Sequence, residues 1–363
     1  MSARAFGRDV SLDEAIAAGA ALLTRARLPL VYGLVESTVE AQREAVALAR
    51  RLAGALDTAA SAAHAGALAA FQAAGALTTS LGEMRRRADL VLFWGLDPDG
   101  VEPGFVARYA PPRAGRVRIA VDVGPAAGPP GVEERLRIPP EREVECLLAL
   151  RAFLRGRRVE PAAAAPLGLP LDALRGLARR LSASAYGIIV SDGEPPSERR
   201  DPLCAVTLNA LPRQARERSR LRSLLVRRGN SVGADNVLTW LTGFPAAIRF
   251  GPDGARFDPS GSSAEALLAS RRADAALVVG ALPERYLSAQ ALASLNALPT
   301  VRVGGTPAGQ VFISTAPSDE TTGHVFRMDG VPLHRQGRAG SLPSEADVLA
   351  RLCLAVGQAT ERA

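Results

Sequence analysis

Short apolar runs alternate with helical patterns along this chain, and that alternation constrains the fold more than any other feature. The runs fall at 28–34 (LPLVYGL), 88–95 (ADLVLFWG), 116–123 (RVRIAVDV), 185–191 (AYGIIVS) and within 271–283 (RRADAALVVGALP), with shorter ones at 135–138 and 311–315 (VFIST). Most are apolar at consecutive positions, which suits strands buried on both faces of a parallel sheet. Helical periodicity fills 12–26, 37–56, 68–76, 141–154, 171–182 and 342–356. Strands and helices in alternation argue for an α/β fold. A chain of 363 residues exceeds one small core. The Pro- and Ala-rich stretch 155–170 lacks an amphipathic period and reads as a linker. The expected domains are therefore 1–160 and 161–320, with 321–363 as a C-terminal segment that can return to the first.

The chain contains no lysine, which excludes a Walker A phosphate loop, Schiff-base catalysis and Ser–Lys hydrolysis. The whole net charge of +7 rides on arginine. GC-rich coding explains arginine in place of lysine but not the positive sign. Cys146, Cys204 and Cys353 are unclustered and odd in number, as in a reducing cytoplasm. No apolar run approaches the roughly twenty residues of a membrane span. No basic-then-apolar leader is visible, so a cytoplasmic location is expected.

Residues 37–95 carry the densest signal. Ser37-Thr38-Val39-Glu40 has the capping-box pattern, ahead of an amphipathic helix with Val39, Val46, Ala49 and Leu52 on one face. Stretch 57–66 is almost all Ala, Ser and Thr around one histidine, small enough to let a large group approach the backbone. A second helix leads to strand 88–95 and the strand-end loop Leu96-Asp97-Pro98. Ligands of doubly wound sheets sit at such carboxyl ends. With a brief strand at 56–58, loop 57–66 and the loop after Gly95 are expected side by side on adjacent strands. An enzyme would need a ligand or nucleophile beside the imidazole of His64, and Ala63 stands there.

This segment resembles the large B subunit of formylmethanofuran dehydrogenase, of the molybdopterin oxidoreductase superfamily. The resemblance resumes at 227–259 (RRGNSVGADNVLTWLTGFPAAIRFGPDGARFDP), 271–283, 326–335 (FRMDGVPLHR) and 342–352 (LPSEADVLARL), in the family's order. It implies two Rossmann-like parallel-sheet domains of that superfamily's formate dehydrogenase-like core. Catalytic members open with a cysteine cluster for an iron–sulfur centre, whereas this chain has no cysteine before Cys146. They also carry a metal-ligating cysteine just before the histidine, where this chain has Ala63. The pattern is thus similar to the degenerate homologue of methylotrophic bacteria, a subunit of the formyltransferase/hydrolase complex.

That resemblance implies a non-catalytic scaffolding subunit that binds no tungsten, molybdenum, iron–sulfur cluster or other cofactor, with the iron–sulfur domain absent. The implied partners are a formyltransferase, an amidohydrolase-like hydrolase and a third subunit. The complex would use a methanofuran-type cofactor and tetrahydromethanopterin in oxidising formaldehyde to formate. The alternative is a formylmethanofuran dehydrogenase subunit that still binds a pterin.

Several residues are candidate sites. Ala63 and His64 mark the vestigial metal position. His64 reads either as a remnant facing a cleft or as a histidine bonded to backbone, since one imidazole does not make a tight metal site. Asn230, Gly233 and Asp235 lie where the family's residues serve the cofactor. The same stretch fits the G-x-S-x-G nucleophile elbow at Ser231, with Asp253, Asp258 or Asp274 and then His324 or His334 in hydrolase order. That reading needs a strand immediately before the serine and a helix immediately after. Arg213, Arg216, Arg218, Arg220, Arg222, Arg227 and Arg228 face a single acid, Glu217. They read as a solvated helix face, as a dock for the glutamate tail of methanofuran-type cofactors, or as a contact for an acidic partner. No aromatic residue is interleaved, so nucleic acid is not expected. His324 and His334 read as surface or interface residues. Arg86-Arg87-Ala88-Asp89 echoes Arg271-Arg272-Ala273-Asp274, which points to two related halves.

Overall fold

The computed structural model describes residues 3–160, 167–199, 201–214, 219–281, 286–338 and 340–361. The chain begins with β1 (Ala3–Ala5), β2 (Arg8–Asp9), α1 (Leu12–Thr24), β3 (Pro29–Gly33), α2 (Val39–Arg51), β4 (Ala55–Thr58) and α3 (Ser61–Ala74). It continues through α4 (Leu81–Arg87), β5 (Leu90–Trp94), α5 (Phe105–Tyr109), β6 (Val117–Val123), β7 (Glu134–Ile138), α6 (Glu143–Leu154), α7 (Leu171–Ala183) and β8 (Gly187–Asp192). Next come α8 (Pro202–Gln214), β9 (Arg222–Val226), α9 (Ser231–Thr242), β10 (Ile248–Gly251), β11 (Gly254–Phe257), α10 (Pro259–Ser262), α11 (Ala264–Ala269) and β12 (Ala275–Val279). The chain closes with α12 (Ala289–Ala297), β13 (Thr300–Val303), β14 (Val311–Ile313), β15 (Gly323–Phe326), β16 (Pro332–Arg335) and α13 (Glu345–Glu361).

Contacts divide the chain into two compact units, one of 1–62 with 229–363 and one of 63–228. This differs from the sequential boundaries expected at 160 and 320. Residues 155–170 join two helices of the same unit, α6 and α7, which pack on each other. The break in amphipathic period therefore does not fall at a boundary between the two units.

The 63–228 unit holds a wholly parallel sheet in the order β7-β6-β5-β8-β9. Its core gathers Leu92, Trp94, Ile119, Val121, Ile189 and the inner faces of α6 and α7. Each such side chain contributes about 1.5–3 kcal/mol when taken fully from water. In the other unit, β4-β3-β12-β13-β14 form the parallel centre of a nine-stranded sheet with antiparallel edges. The C-terminal α13 packs on α1 and α2 there, burying Val348, Leu349 and Leu352. The molecule is thus mixed α/β built on parallel sheets.

In both sheets the strand order reverses at one place, between β5 and β8 and between β3 and β12. The sequence echo falls there. Asp89, just before β5, accepts from the Ala185 and Tyr186 amides at 2.7 and 2.9 Å, ahead of the neighbouring β8. Asp274, just before β12, accepts from the Arg27 and Leu28 amides at 2.9 and 2.8 Å, ahead of the neighbouring β3. In each case the aspartate's own amide donates back, to Tyr186 O and Leu28 O. The repeated Ala-Asp is one device, used twice to set the register of the two strands flanking the reversal.

Candidate functional site

Strand β4 leads into the segment that carries Ala63 and His64. Asp57, fully buried at its end, accepts from the amides of Thr58, Ala247 and Ala264 and from the Ser61 hydroxyl, at 2.7–2.9 Å. Burial pushes its carboxyl up to about 6 despite these four donors, each of which favours the charged form. The sequence places Asp57 only at the start of the small-residue stretch 57–66. A lone acid carries no mark of donors two hundred residues away.

Helix α3 starts at Ser61, so Ala63 and His64 lie in its first turn and not on the small-residue loop expected over 57–66. Alanine has the highest helix propensity, and the same residues that keep a loop open also extend a helix. Ala63 is buried. His64 Nδ1 lies 2.9 Å from Gly193 O. A carbonyl only accepts, so this bond places a proton on Nδ1. His64 also borders a cavity of about 270 Å³ within the 63–228 unit.

The expectation that loop 57–66 and the loop after Gly95 follow adjacent strands fails, because β4 and β5 belong to different sheets. At the carboxyl end of β5 the chain's own side chains bond to one another. Glu143 accepts from Trp94 Nε1 at 2.8 Å and from Arg199 Nη2 at 2.7 Å, and Arg199 Nη1 donates to Gly95 O at 2.8 Å. Gly95 has φ +57, and a Cβ there would meet the Arg199 guanidinium at 2.5 Å. Nothing in the sequence marks Glu143 and Arg199 as partners.

Asn230 is nearly fully buried. Its Nδ2 donates to Ser37 O at 2.8 Å, its Oδ1 accepts from Phe326 N at 2.7 Å, and its backbone oxygen accepts from Gln42 Nε2 at 3.3 Å. A Cβ at Gly233 would strike the Asn230 carboxamide, and one at Gly229, which has φ +53, would strike Val35 O. The Gly-Asn-x-x-Gly spacing therefore has an internal use, to let one carboxamide tie α9 to the loop after β3 and to the hairpin of β15 and β16. Asp235 is half-buried on the same helix.

The nucleophile elbow does not form. Four residues separate the end of β9 from Ser231, which is fully buried as the first residue of α9. His324 pairs instead with Glu40, Nδ1 to Oε1 at 2.6 Å, and its ring lies 4.9 Å from that of His334. The capping box expected at Ser37 is also displaced. Thr38 caps α2, and Glu40 turns to His324.

The arginine-rich segment is not one helical face. Arg213 ends α8 and donates to the carbonyls of Ala74 and Gly75 at the end of α3. Arg220 is exposed, and Arg222 is half-buried in β9. Buried Arg227 donates to Glu194 at 2.6 Å, and Arg228 pairs with Asp192 at 3.0 and 3.3 Å. Arg216 and Arg218 lie outside the described residues. A different group, Arg157, Arg158, Arg175 and Arg179, lines one hollow by α6 and α7 that can accept an anion. The Arg-Gly-Arg-Arg run at 155–158 was its only sequence signal.

Burial pushes the Cys146 and Cys204 thiols up to about 11 and about 12, which makes them poor nucleophiles and poor ligands. Among the described residues no three His, Cys, Asp or Glu side chains converge as a metal site, and no helix is long and apolar enough to cross a membrane.

No family model matches the chain. It is 28% identical over 348 residues to the B subunit of the tungsten-containing formylmethanofuran dehydrogenase 2 of Methanocaldococcus jannaschii, covering 90% of this chain and 78% of that one. It is 32% identical over 291 residues to the B subunit of the formyltransferase/hydrolase complex Fhc of Methylorubrum extorquens, covering 78% and 75%. In three dimensions it matches a chain of the crystal structure of the FhcABCD complex of Methylorubrum extorquens with methylofuran. The TM-score is 0.82 at 25% identity, over 99% of this chain and 100% of that one.

Proposed function

From the premise that this chain belongs to the family of formylmethanofuran dehydrogenase and formyltransferase/hydrolase complex B subunits, we propose that it is the non-catalytic B subunit of a formyltransferase/hydrolase complex. The observation that carries this reading is Ala63. The resemblance calls for a thiolate at that position, and a methyl group offers a tungsten or molybdenum ion no donor. The neighbouring imidazole bonds Gly193 O. The residues present do not fit the metal.

On this reading the two doubly wound sheets are Rossmann-like domains of the molybdopterin oxidoreductase core. Asn230, Gly233 and Asp235 are the framework of a former cofactor cleft, kept because the carboxamide holds three elements together. The chain binds neither methanofuran-type cofactor nor tetrahydromethanopterin. It holds a formyltransferase, an amidohydrolase-like hydrolase and a third subunit together in the cytoplasm, so that a formyl group passes between them on a methanofuran-type carrier. Arg220 and Arg222, with Arg216 and Arg218, serve as a dock for an acidic face of a partner subunit.

The test is affinity purification of the tagged chain from its source organism. The expected result is co-purification of formyltransferase and hydrolase subunits in fixed ratio, with formyl-transfer activity in the eluate. A chain that purifies without them, or together with an iron–sulfur subunit and a pterin, would overturn the reading.

A further inference from the structure

The cavity beside His64 is lined entirely by the 63–228 unit, between α3, α8 and the strand pair β8 and β9. Leu68 and Phe71 of α3, Leu208 of α8, and Ile189 and Leu225 of the strands wall it. Register places Ile189 opposite Ser223 and Ser191 opposite Leu225, so these four share the face that lines it.

Polar residues interrupt the apolar walls, His64, Thr78, Asp192 and Ser223 among them, and Ser191 and Asn209 matter most here. Ser191 is 3% exposed, and its hydroxyl makes no hydrogen bond among the described residues. Buried hydroxyls in folded chains are otherwise nearly always bonded. Asn209 spends its amide hydrogens on Ala70 O and Gly75 O, at 3.2 and 3.0 Å, which leaves its carboxamide oxygen as an acceptor on a residue lining the same space.

The covering segment is unusual for a surface. No Asp, Glu or Arg occurs between Asp57 and Glu83. Helix α3 buries only Ala63 and Ala70, while Phe71 stands 57% exposed. The one carboxylate at the cavity, Asp192, is paired with Arg228. A charged guest would lose hydration without finding a counter-charge, so the site selects a neutral one.

We propose that this cavity is a binding pocket for a small neutral organic molecule built on one aromatic ring with a single hydroxyl or amide group. The ring lies among Leu68, Phe71, Ile189 and Leu225, and the polar group meets Ser191 and Asn209. An apolar cavity of about 150 Å³ already accepts benzene, so about 270 Å³ leaves room for the substituent. The scaffold reading requires no ligand here, so the pocket is an addition to it.

The test titrates the purified full-length chain with phenol and with benzene by calorimetry. Phenol is expected to bind saturably at one site, with benzene weaker by about fivefold because it cannot reach Ser191. Ser191→Ala should erase phenol's advantage. Ala67→Phe, which fills the cavity, should abolish both, with the far-ultraviolet circular dichroism spectrum confirming the fold. No saturable binding of phenol to the unaltered chain would overturn the proposal, as would an advantage for phenol that survives Ser191→Ala. The comparison of two ligands on the unaltered chain needs no variant to fold. Its failure would leave the scaffold reading standing, since that rests on Ala63 and on assembly.

Discussion

A methyl group at Gly233 would collide with the carboxamide of Asn230, three residues earlier at the cap of α9. The glycine is there for the asparagine, and the asparagine for the two backbone groups it bridges, Ser37 O and Phe326 N. A motif that the family resemblance assigns to a cofactor is thereby explained by the chain's own packing.

Gly→Ala inside a helix ordinarily stabilises by about 0.5–1 kcal/mol. Here Gly233→Ala should instead destabilise, by roughly 1–3 kcal/mol, because the added methyl overpacks the site. In an Asn230→Ala background the same change should become neutral or stabilising. Denaturant unfolding of the four proteins measures the coupling, and additive effects would contradict the interlock.

Asp89 and Asp274 should be equivalent in effect. Each alanine variant leaves two strand-entry amides unpaired and should cost about 1–3 kcal/mol. Asp89→Ala should speed hydrogen exchange at Ala185 and Tyr186 only, and Asp274→Ala at Arg27 and Leu28 only. The two share no bonding partners, so their costs should add. Exchange unchanged in either pair would remove the shared device.

Glu345 supplies a pH dependence. Burial first, with the Glu36 carboxylate adding to it, pushes Glu345 up from the usual carboxylate value to about 7. Gly304, whose Cβ would stand 2.8 Å from Glu345 Oε1, leaves little room around it. The folded state therefore holds this proton more tightly than the unfolded chain. The stabilisation is fully present below about pH 4.5 and is lost as pH rises to about 7. Glu345→Gln should flatten that slope and stabilise the chain at pH 8. Unfolding midpoints between pH 5 and 8 decide it, and an unchanged slope in the variant would contradict the assignment.

The arginines of 213–228 should separate by role. Arg227→Ala leaves the Glu194 carboxylate buried without its guanidinium and should cost about 3–5 kcal/mol. Arg220→Glu with Arg222→Glu should change stability by much less and weaken assembly of the complex instead. Thermal unfolding and co-purification yields, measured on both variants, distinguish the roles. Unchanged assembly in the double variant would make Arg220 and Arg222 solvated surface.

The strands at 29–33, 90–94, 117–123 and 187–192 were legible because strands buried on both faces must be apolar almost throughout. The interleaving of the two units was not. The pairing of β3 with β12 joins residues far apart in sequence, and no local pattern encodes it. The start of α3 was hidden because Ala-Ser runs suit a loop and a helix alike. Ala63 reads as a missing ligand only by contrast with the family's pattern. Asp57, Glu143 and Arg199 were not legible as a site, because a single charged residue does not name its partner. The clustered charges of 213–228 suggest one face, yet Arg213 lies at a helix end and Arg222 in a strand, and Arg213, Arg227 and Arg228 turn to different partners.

The central proposal, a B subunit without redox chemistry, is tested most directly by the tungsten, molybdenum and pterin content of the complex purified from the source organism, measured on a preparation active in formyl transfer. The predicted result is full activity with metal and pterin far below one per copy of this chain. One tungsten or molybdenum with its pterin per copy, bound to this chain, would contradict it.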